Sequence, residues 1–315
     1  MYWFLLKIGV KITSENIAMR IFLISHITVG MLGNSSILFY YTFLILNGKH
    51  LMPKDLITKH LTFANCLSII SRGIPRIMSD FGFQTILDDI GCKLIVYIGR
   101  ITRGVSLYAM CLLSCFQAIT ISSRNSRLMK LKYKTTKYIG PCCSVSWLVN
   151  LLLNTYSPTR ISGSSYTKNT SNRVSYAYCS VLASDNAATA LFLFLTCFSD
   201  GLCLGLMFCS SVSMVSILYK HKRKVKHIYS DHHFQKVSPE VRATQNILIL
   251  LCTFVISYSF SSIMAALRAW SNYPVLWRLN IFMFIEICFP IICPFVLIIN
   301  TKSTSRLVLP YFGKR

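Results

Sequence analysis

Long apolar stretches separated by short polar ones dominate the chain. A helix needs about 20 predominantly apolar residues to cross the hydrocarbon core of a bilayer. Seven stretches approach or exceed that length: Ala18 to Leu46, Leu56 to Met78, Cys92 to Ile121, Tyr138 to Tyr156, Ala187 to Tyr219, Thr244 to Trp270 and Val275 to Asn300. The second and third are the least apolar, since Lys59, His60, Arg72 and Arg76 stand in one and Arg100 and Arg103 in the other. The pattern predicts an all-α membrane protein, a seven-transmembrane helix bundle, with residues 1–17 before it and a tail of residues 301–315 after it.

Composition agrees with that reading. Hydrophobic residues make up 53% of the 315 and charged ones 14%, and mean hydropathy is +0.52. That leaves too little polar surface to clothe a soluble globule. The apolar run Tyr2 to Leu6 is too short for a secretory leader and is interrupted by Lys7. Neither an internal repeat nor a low-complexity tract is evident, which argues against inverted-repeat transporters.

Charge sets the orientation. Lys and Arg number 33 against 10 Asp and Glu, and short cytoplasmic loops collect the basic residues. With the N-terminus outside and the C-terminus cytoplasmic, the inner segments are residues 47–54, 122–137, 220–242 and 301–315, which together hold most of the loop Lys and Arg. Lys220, Lys222, Arg223, Lys224 and Lys226 form a run that in isolation resembles a nucleic-acid patch. Beside a span, such a run meets anionic lipid head groups. Membrane lipid is thus an expected partner and nucleic acid is not.

The same orientation sorts the 13 cysteines. Most lie in apolar runs, where a free thiol packs as a small hydrophobe, and none forms a CxxC pair, so no metal site or cofactor is expected. Cys92, at the outer end of the third span, and Cys179, in the loop after the fourth, face the oxidising side. They form either a disulfide that ties the loop over the mouth of the bundle or two free thiols. Asn169, in Asn169-Thr170-Ser171, is a glycosylation acceptor in that loop. Asn34-Ser35-Ser36 also matches the sequon but sits inside the first span.

Ionisable groups at membrane depth are costly and mark candidate sites. Arg100 and Arg103 lie one helical turn apart on one face, roughly 12 and 16 Å below Cys92. An anionic or strongly polar ligand entering from outside would pair with them. The alternative is a structural pairing with Glu286 or Asp200. Glu286 precedes Pro290 by one turn, with Pro294 beyond, so the seventh span is expected to bend there. It is either a pocket residue or a neutral acid bonded to a neighbouring helix. Ser238, Pro239 and Glu240 form a helix-start signal at the inner end of the sixth span. No phosphate loop, zinc-protease motif or nucleophile elbow is present in the sequence, and His232 and His233 sit in a basic loop and read as solvated histidines, so the chain does not read as an enzyme.

Several longer segments carry a specific resemblance: His60-Leu61-Thr62-Phe63-Ala64-Asn65, Ser71-Arg72-Gly73-Ile74-Pro75, Gly91-Cys92-Lys93, Arg103-Gly104-Val105-Ser106, Cys111-Leu112-Leu113-Ser114, Phe116-Gln117-Ala118-Ile119-Thr120-Ile121-Ser122, Leu202-Cys203-Leu204-Gly205-Leu206-Met207, Ser238-Pro239-Glu240 and Arg242-Ala243-Thr244-Gln245. In this order, from the first span to the seventh, they resemble the vomeronasal type-1 receptors. The resemblance implies a G-protein-coupled receptor of the plasma membrane that detects pheromones or other small odorants and couples to an inhibitory-type heterotrimeric G protein. It also implies a Cys92–Cys179 disulfide and glycosylation at Asn169. The inner residues Gln117, Arg124, Lys220, Lys222, Arg223, Lys224, Glu240 and Arg242 would then face the G protein. Ligand contacts do not carry over; Arg100, Arg103, Glu286 and Asp200 remain candidates from their depth alone.

Departures from the wider rhodopsin-like pattern are visible. Phe116, Gln117 and Ala118 stand where that pattern has an acidic-Arg-Tyr triplet, Asn65 where it has an Asp, and Cys293-Pro294-Phe295 where it has Asn-Pro-x-x-Tyr; Gly33-Asn34 does match it. A bitter-taste-like receptor has the same plan, and a transporter or channel would also tolerate intramembrane charge. G-protein activation without net flux separates a receptor from the latter.

Overall fold

The structure is a computed structural model that describes residues 2–81, 88–122, 126–163, 173–175, 179–182, 187–228, 245, 248–260 and 287–298. Five long helices follow one another: α1 (Tyr2–Leu46), α2 (Pro53–Asp80), α3 (Asp89–Ser122), α4 (Ser126–Leu153) and α5 (Ala187–Ile228). Two shorter apolar helices are α6 (Leu248–Phe260) and α7 (Ile287–Ile298). Arg20–Leu46, Asp89–Ser122 and Ala187–Lys220 are long and apolar enough to cross a membrane. The chain is thus a helical membrane protein.

Two helices outrun the apolar stretches that revealed them. With 45 residues, α1 is about 67 Å long, against about 30 Å of hydrocarbon. No proline stops it before Ala18. The basic segment from Ser126 to Lys137, read as loop, is the first part of α4. Hydropathy locates the apolar part of a helix and not its ends. Beyond Leu46, α1 closes on Gly48, whose φ of 70° is costly for residues with a Cβ. Lys49 N donates to Leu44 O at 3.0 Å and Gly48 N to Ile45 O at 2.9 Å, a Schellman closure that satisfies two of the last carbonyls. Pro53 then opens α2 at the first helical position, where its missing N–H costs nothing.

Helix α3 is the axis of the bundle: it touches α2, α4 and α5 and buries residues along its whole length, from Cys92 to Gln117. The main core joins Ile37 and Tyr41 of α1, Leu61 of α2, Leu107, Met110 and Leu113 of α3, Met207 of α5, Phe254 of α6 and Phe289 of α7. Cys66, Cys111, Cys143, Cys203 and Cys293 are buried free thiols, packing as the small apolar groups their setting implies. Large apolar side chains such as Phe39, Phe43, Phe194, Phe198 and Phe208 point outward, as a lipid-facing surface requires.

Close approach of α1 to α7 rests on two glycines. A Cβ at Gly30 would stand 2.6 Å from Ile291 Cγ1, and one at Gly33 2.9 Å from Pro294 Cγ. This proximity brings Asn34 to the carbonyl of Pro290, to which its Nδ2 donates at 2.7 Å. In an unbroken helix that carbonyl would accept from the N–H of residue 294; Pro294 has none. Asn34 also donates to Gly30 O at 2.8 Å, and its own oxygen accepts from Asn65 Nδ2 at 3.4 Å. Ser106 Oγ of α3 lies 3.5 Å from Asn65 Oδ1. A chain of neutral amides therefore ties α1, α2, α3 and α7 in the interior.

A second tight crossing joins α3 to α4, where a Cβ at Gly104 would overlap Asn150 Oδ1. Asn150 is buried and held by its Nδ2 bond to Ser146 O at 2.8 Å, so it cannot swing away cheaply. Substitution Gly104→Leu overpacks this crossing, which typically costs about 1–3 kcal/mol. We expect a lower surface level and a lower thermal midpoint of the purified protein, with Ser146→Ala doing much less.

The connection between α4 and α5 carries a short 3-10 turn, Ser157–Arg160, and three strands: β1 (Ile161–Gly163), β2 (Arg173–Ser175) and β3 (Cys179–Leu182). They pair antiparallel in the order β1-β3-β2, with Gly163 opposite Cys179. Strands of three or four residues leave almost no alternation to read, and the sequence pattern shows only a loop there.

Candidate functional site

The loop sheet is fastened to the top of α3 by a disulfide between Cys92 and Cys179, Cα atoms 5.8 Å apart. Both cysteines are buried with Ile161 of β1, and Val96 packs beneath them. This fixes one end of the bundle as a covered mouth with α3 descending from it.

Two turns below Cys92, Arg100 is exposed and its guanidinium lies 5.5 Å from the centroid of the Phe192 ring on α5. Phe192 meets Tyr156 at 5.6 Å, and the Tyr156 hydroxyl is 3.0 Å from Thr189 Oγ1. One turn deeper, Arg103 is half-buried and lies 4.3 Å from the centroid of Tyr258 on α6. Flat cationic groups are attracted to aromatic faces, the more so when desolvated. The two arginines thus have different aromatic neighbours, one on α5 and one on α6.

Tyr258 also donates its hydroxyl to the Asp200 carboxylate of α5, and the charge of Arg103 acts on both residues. Asp200, Tyr258 and Arg103 therefore form one polar cluster with a group from each of three helices. Below it, Tyr108 of α3 meets Ser199 of α5 at 2.7 Å. Phe254 stacks under Tyr258 at 5.7 Å and meets Phe289 of α7 edge-on at 4.7 Å, so the cluster stands on an aromatic floor. A polar group set among aromatic faces is the usual make-up of a small-molecule site. Glu286 lies outside the described residues.

At the other end of the bundle, Gln117 of α3 is buried, while Lys220 and Arg223 are exposed at the end of α5. Lys222 and Lys224 belong to the same helix. Arg124, Glu240, Arg242 and the sequon residue Asn169 lie outside the described residues. Among the described residues no group of His, Cys, Asp and Glu could hold a metal ion.

Sequence reasoning overlooked Tyr258, Tyr108 and Ser199, because Tyr and Ser are ordinary residues of membrane helices. The one available signal was Asp200, which needs a donor at membrane depth.

A profile of the vomeronasal organ pheromone receptor family matches residues 17–309. The chain belongs to this family. It is 42% identical over 285 residues to human vomeronasal type-1 receptor 4, covering 90% of this chain and 94% of that one. It is 41% identical over 281 residues to human vomeronasal type-1 receptor 2, covering 89% and 71%. Rat vomeronasal type-1 receptor 90 is 32% identical over 291 residues, covering 92% and 93%. Vomeronasal type-1 receptors are chemosensory receptors and not enzymes.

Proposed function

We propose that the chain is a seven-span pheromone receptor of the plasma membrane that activates a heterotrimeric G protein, of the inhibitory type, when a small ligand enters the disulfide-covered mouth. Family membership supports the receptor reading. The observation that carries the sensing site is the Arg103–Tyr258–Asp200 cluster below that mouth. The reading takes helices α1 to α7 as the seven spans, of which Arg20–Leu46, Asp89–Ser122 and Ala187–Lys220 are long and apolar enough by themselves. The basic inner ends, represented here by Lys220 and Arg223, support a cytoplasmic face at the end opposite Cys92.

The site offers a ligand the Arg100 guanidinium near the mouth, the Arg103 guanidinium deeper down, and aromatic faces from Phe192, Tyr258 and Phe254. A small molecule with a polar or anionic head and an apolar body fits that arrangement. Binding shifts the population toward a bundle arrangement that holds the ligand better. In that arrangement the inner ends of α3, α5 and α6 part, exposing Gln117 and the basic end of α5 to the G protein. On this reading Glu240 and Arg242 would face the G protein as well, Asn169 would carry a glycan outside, and residues 1–17 and 301–315 would lie on opposite sides of the membrane.

Expression of the full chain with a promiscuous G protein, read by calcium imaging against panels of volatiles and steroids, tests receptor function. Responsive ligands are expected to lose potency at least tenfold in the Arg100→Gln, Arg103→Gln double variant at matched surface level. An undiminished response in that variant removes the pocket assignment.

A further inference from the structure

We infer that Tyr258 is a positioning residue: through its ring on Arg103 of α3 and its hydroxyl on Asp200 of α5 it latches α6 in the resting arrangement, and a ligand that engages Arg103 acts by undoing that latch. This rests on the receptor reading given above and names how its site is regulated.

The three groups are chemically matched. Arg103 brings a positive charge, Asp200 a negative one, and Tyr258 contributes a ring face to the first and an O–H to the second. Attraction of opposite charges is strong at low dielectric, and a hydrogen bond to a charged acceptor is worth more than a neutral one. Tyr258 itself is 8% exposed, so its hydroxyl has little water to turn to.

Placement makes this a latch. Thr253 of α6 spends its hydroxyl on its own helix, at Ile249 O. Among the described residues of α6, Tyr258 is therefore the side chain that reaches another helix through a hydrogen bond. Phe254 meets Phe289 of α7 through an apolar ring contact, which carries no hydrogen bond. In the same arrangement Gln117, toward the far end of α3, is buried, and the latch takes this arrangement as the resting state. A ligand bound to Arg103 competes with Tyr258 and Asp200 for one guanidinium, which supplies the differential affinity a population shift requires.

Tyr258→Phe is the sharpest variant, because it keeps the ring over Arg103 and the stack on Phe254 and removes only the hydroxyl. It is compared with Asp200→Leu, which removes the acceptor, and with the double variant in two readouts on the full chain. One is ligand-free G-protein signalling at matched surface level; the other is hydrogen exchange of residues 248–260 in lipid nanodiscs. Loss of a hydrogen bond to a charged group shifts a two-state ratio by about tenfold. Tyr258→Phe is thus expected to raise the basal signal and the exchange of α6 by about that factor, and the double variant no further than Asp200→Leu alone, because Asp200→Leu already removes the shared hydrogen bond.

Unchanged exchange and unchanged basal signal in Tyr258→Phe would overturn the latch, as would additive effects in the double variant. Faster α6 exchange with no G-protein signal from any variant supports the latch and overturns the coupling reading instead.

Discussion

Replacing both Cys92 and Cys179 by Ser is expected to remove most of the receptor from the cell surface. The bridge closes a segment with a sequence separation of 87, and cross-links over segments of that length stabilise by about 4.6 kcal/mol in the chain-entropy account. A membrane bundle already restrains the ends of α3 and α4, which brings the expected value toward the lower part of the usual 2–5 kcal/mol range. That is still a large part of the stability of a marginally stable fold. Beyond stability, the bridge holds β3 against Ile161 and Val96 at the top of α3, so the residual surface protein should respond to ligand with reduced potency. Surface labelling of the double variant, normalised to total protein, checks the first expectation. A surface level equal to the native one would show that the sheet is held by its own pairing.

Nearly as large an effect is expected from Asn34→Leu. The native side chain donates to Pro290 O at 2.7 Å and accepts from Asn65 at 3.4 Å, all at a fully buried position. Leucine leaves the Pro290 carbonyl with no donor, because Pro294 supplies none, and strands one amide hydrogen of Asn65. Each orphaned buried group costs about 1–3 kcal/mol. The thermal midpoint of the purified chain should fall by several degrees. Restoring the N–H with Pro294→Ala should recover part of the loss. The second variant is informative because a simple loss of packing at position 34 would not be relieved by a change on α7.

These two sites show what was legible in the sequence. Cys92 and Cys179 could be picked out because orientation and compartment act on single residues: thiols on the oxidising side differ chemically from those in lipid. Asn34 was visible as the residue after Gly33, in the rhodopsin-like pattern, yet its partner was hidden. The carbonyl of Pro290, 256 positions away and freed by Pro294, leaves no local mark, and only the packing of Gly30 and Gly33 against α7 brings the two together.

The candidate site divides in the same way. Arg100, Arg103 and Asp200 stand out since charge at membrane depth is costly. Their different neighbours, Phe192 for Arg100 and Tyr258 for Arg103, depend on which helix faces which, and periodicity says nothing about that. Helix ends followed another logic. The Lys-rich start of α4 and the segment of α1 before Ala18, interrupted by Lys7, Lys11, Ser14, Glu15 and Asn16, fall short of an apolar span yet contain no proline, so the helices continue where hydropathy stops.

The central claim is that a ligand in the outer cluster drives G-protein activation. The most direct measurement is nucleotide exchange on a purified inhibitory-type heterotrimer by the full chain in lipid nanodiscs, with and without a ligand identified by calcium screening. The account predicts ligand-stimulated exchange several-fold above the ligand-free rate, lost in Arg103→Gln and not accompanied by ion flux when the same chain is placed in sealed vesicles. Ligand-evoked flux with no nucleotide exchange would contradict it.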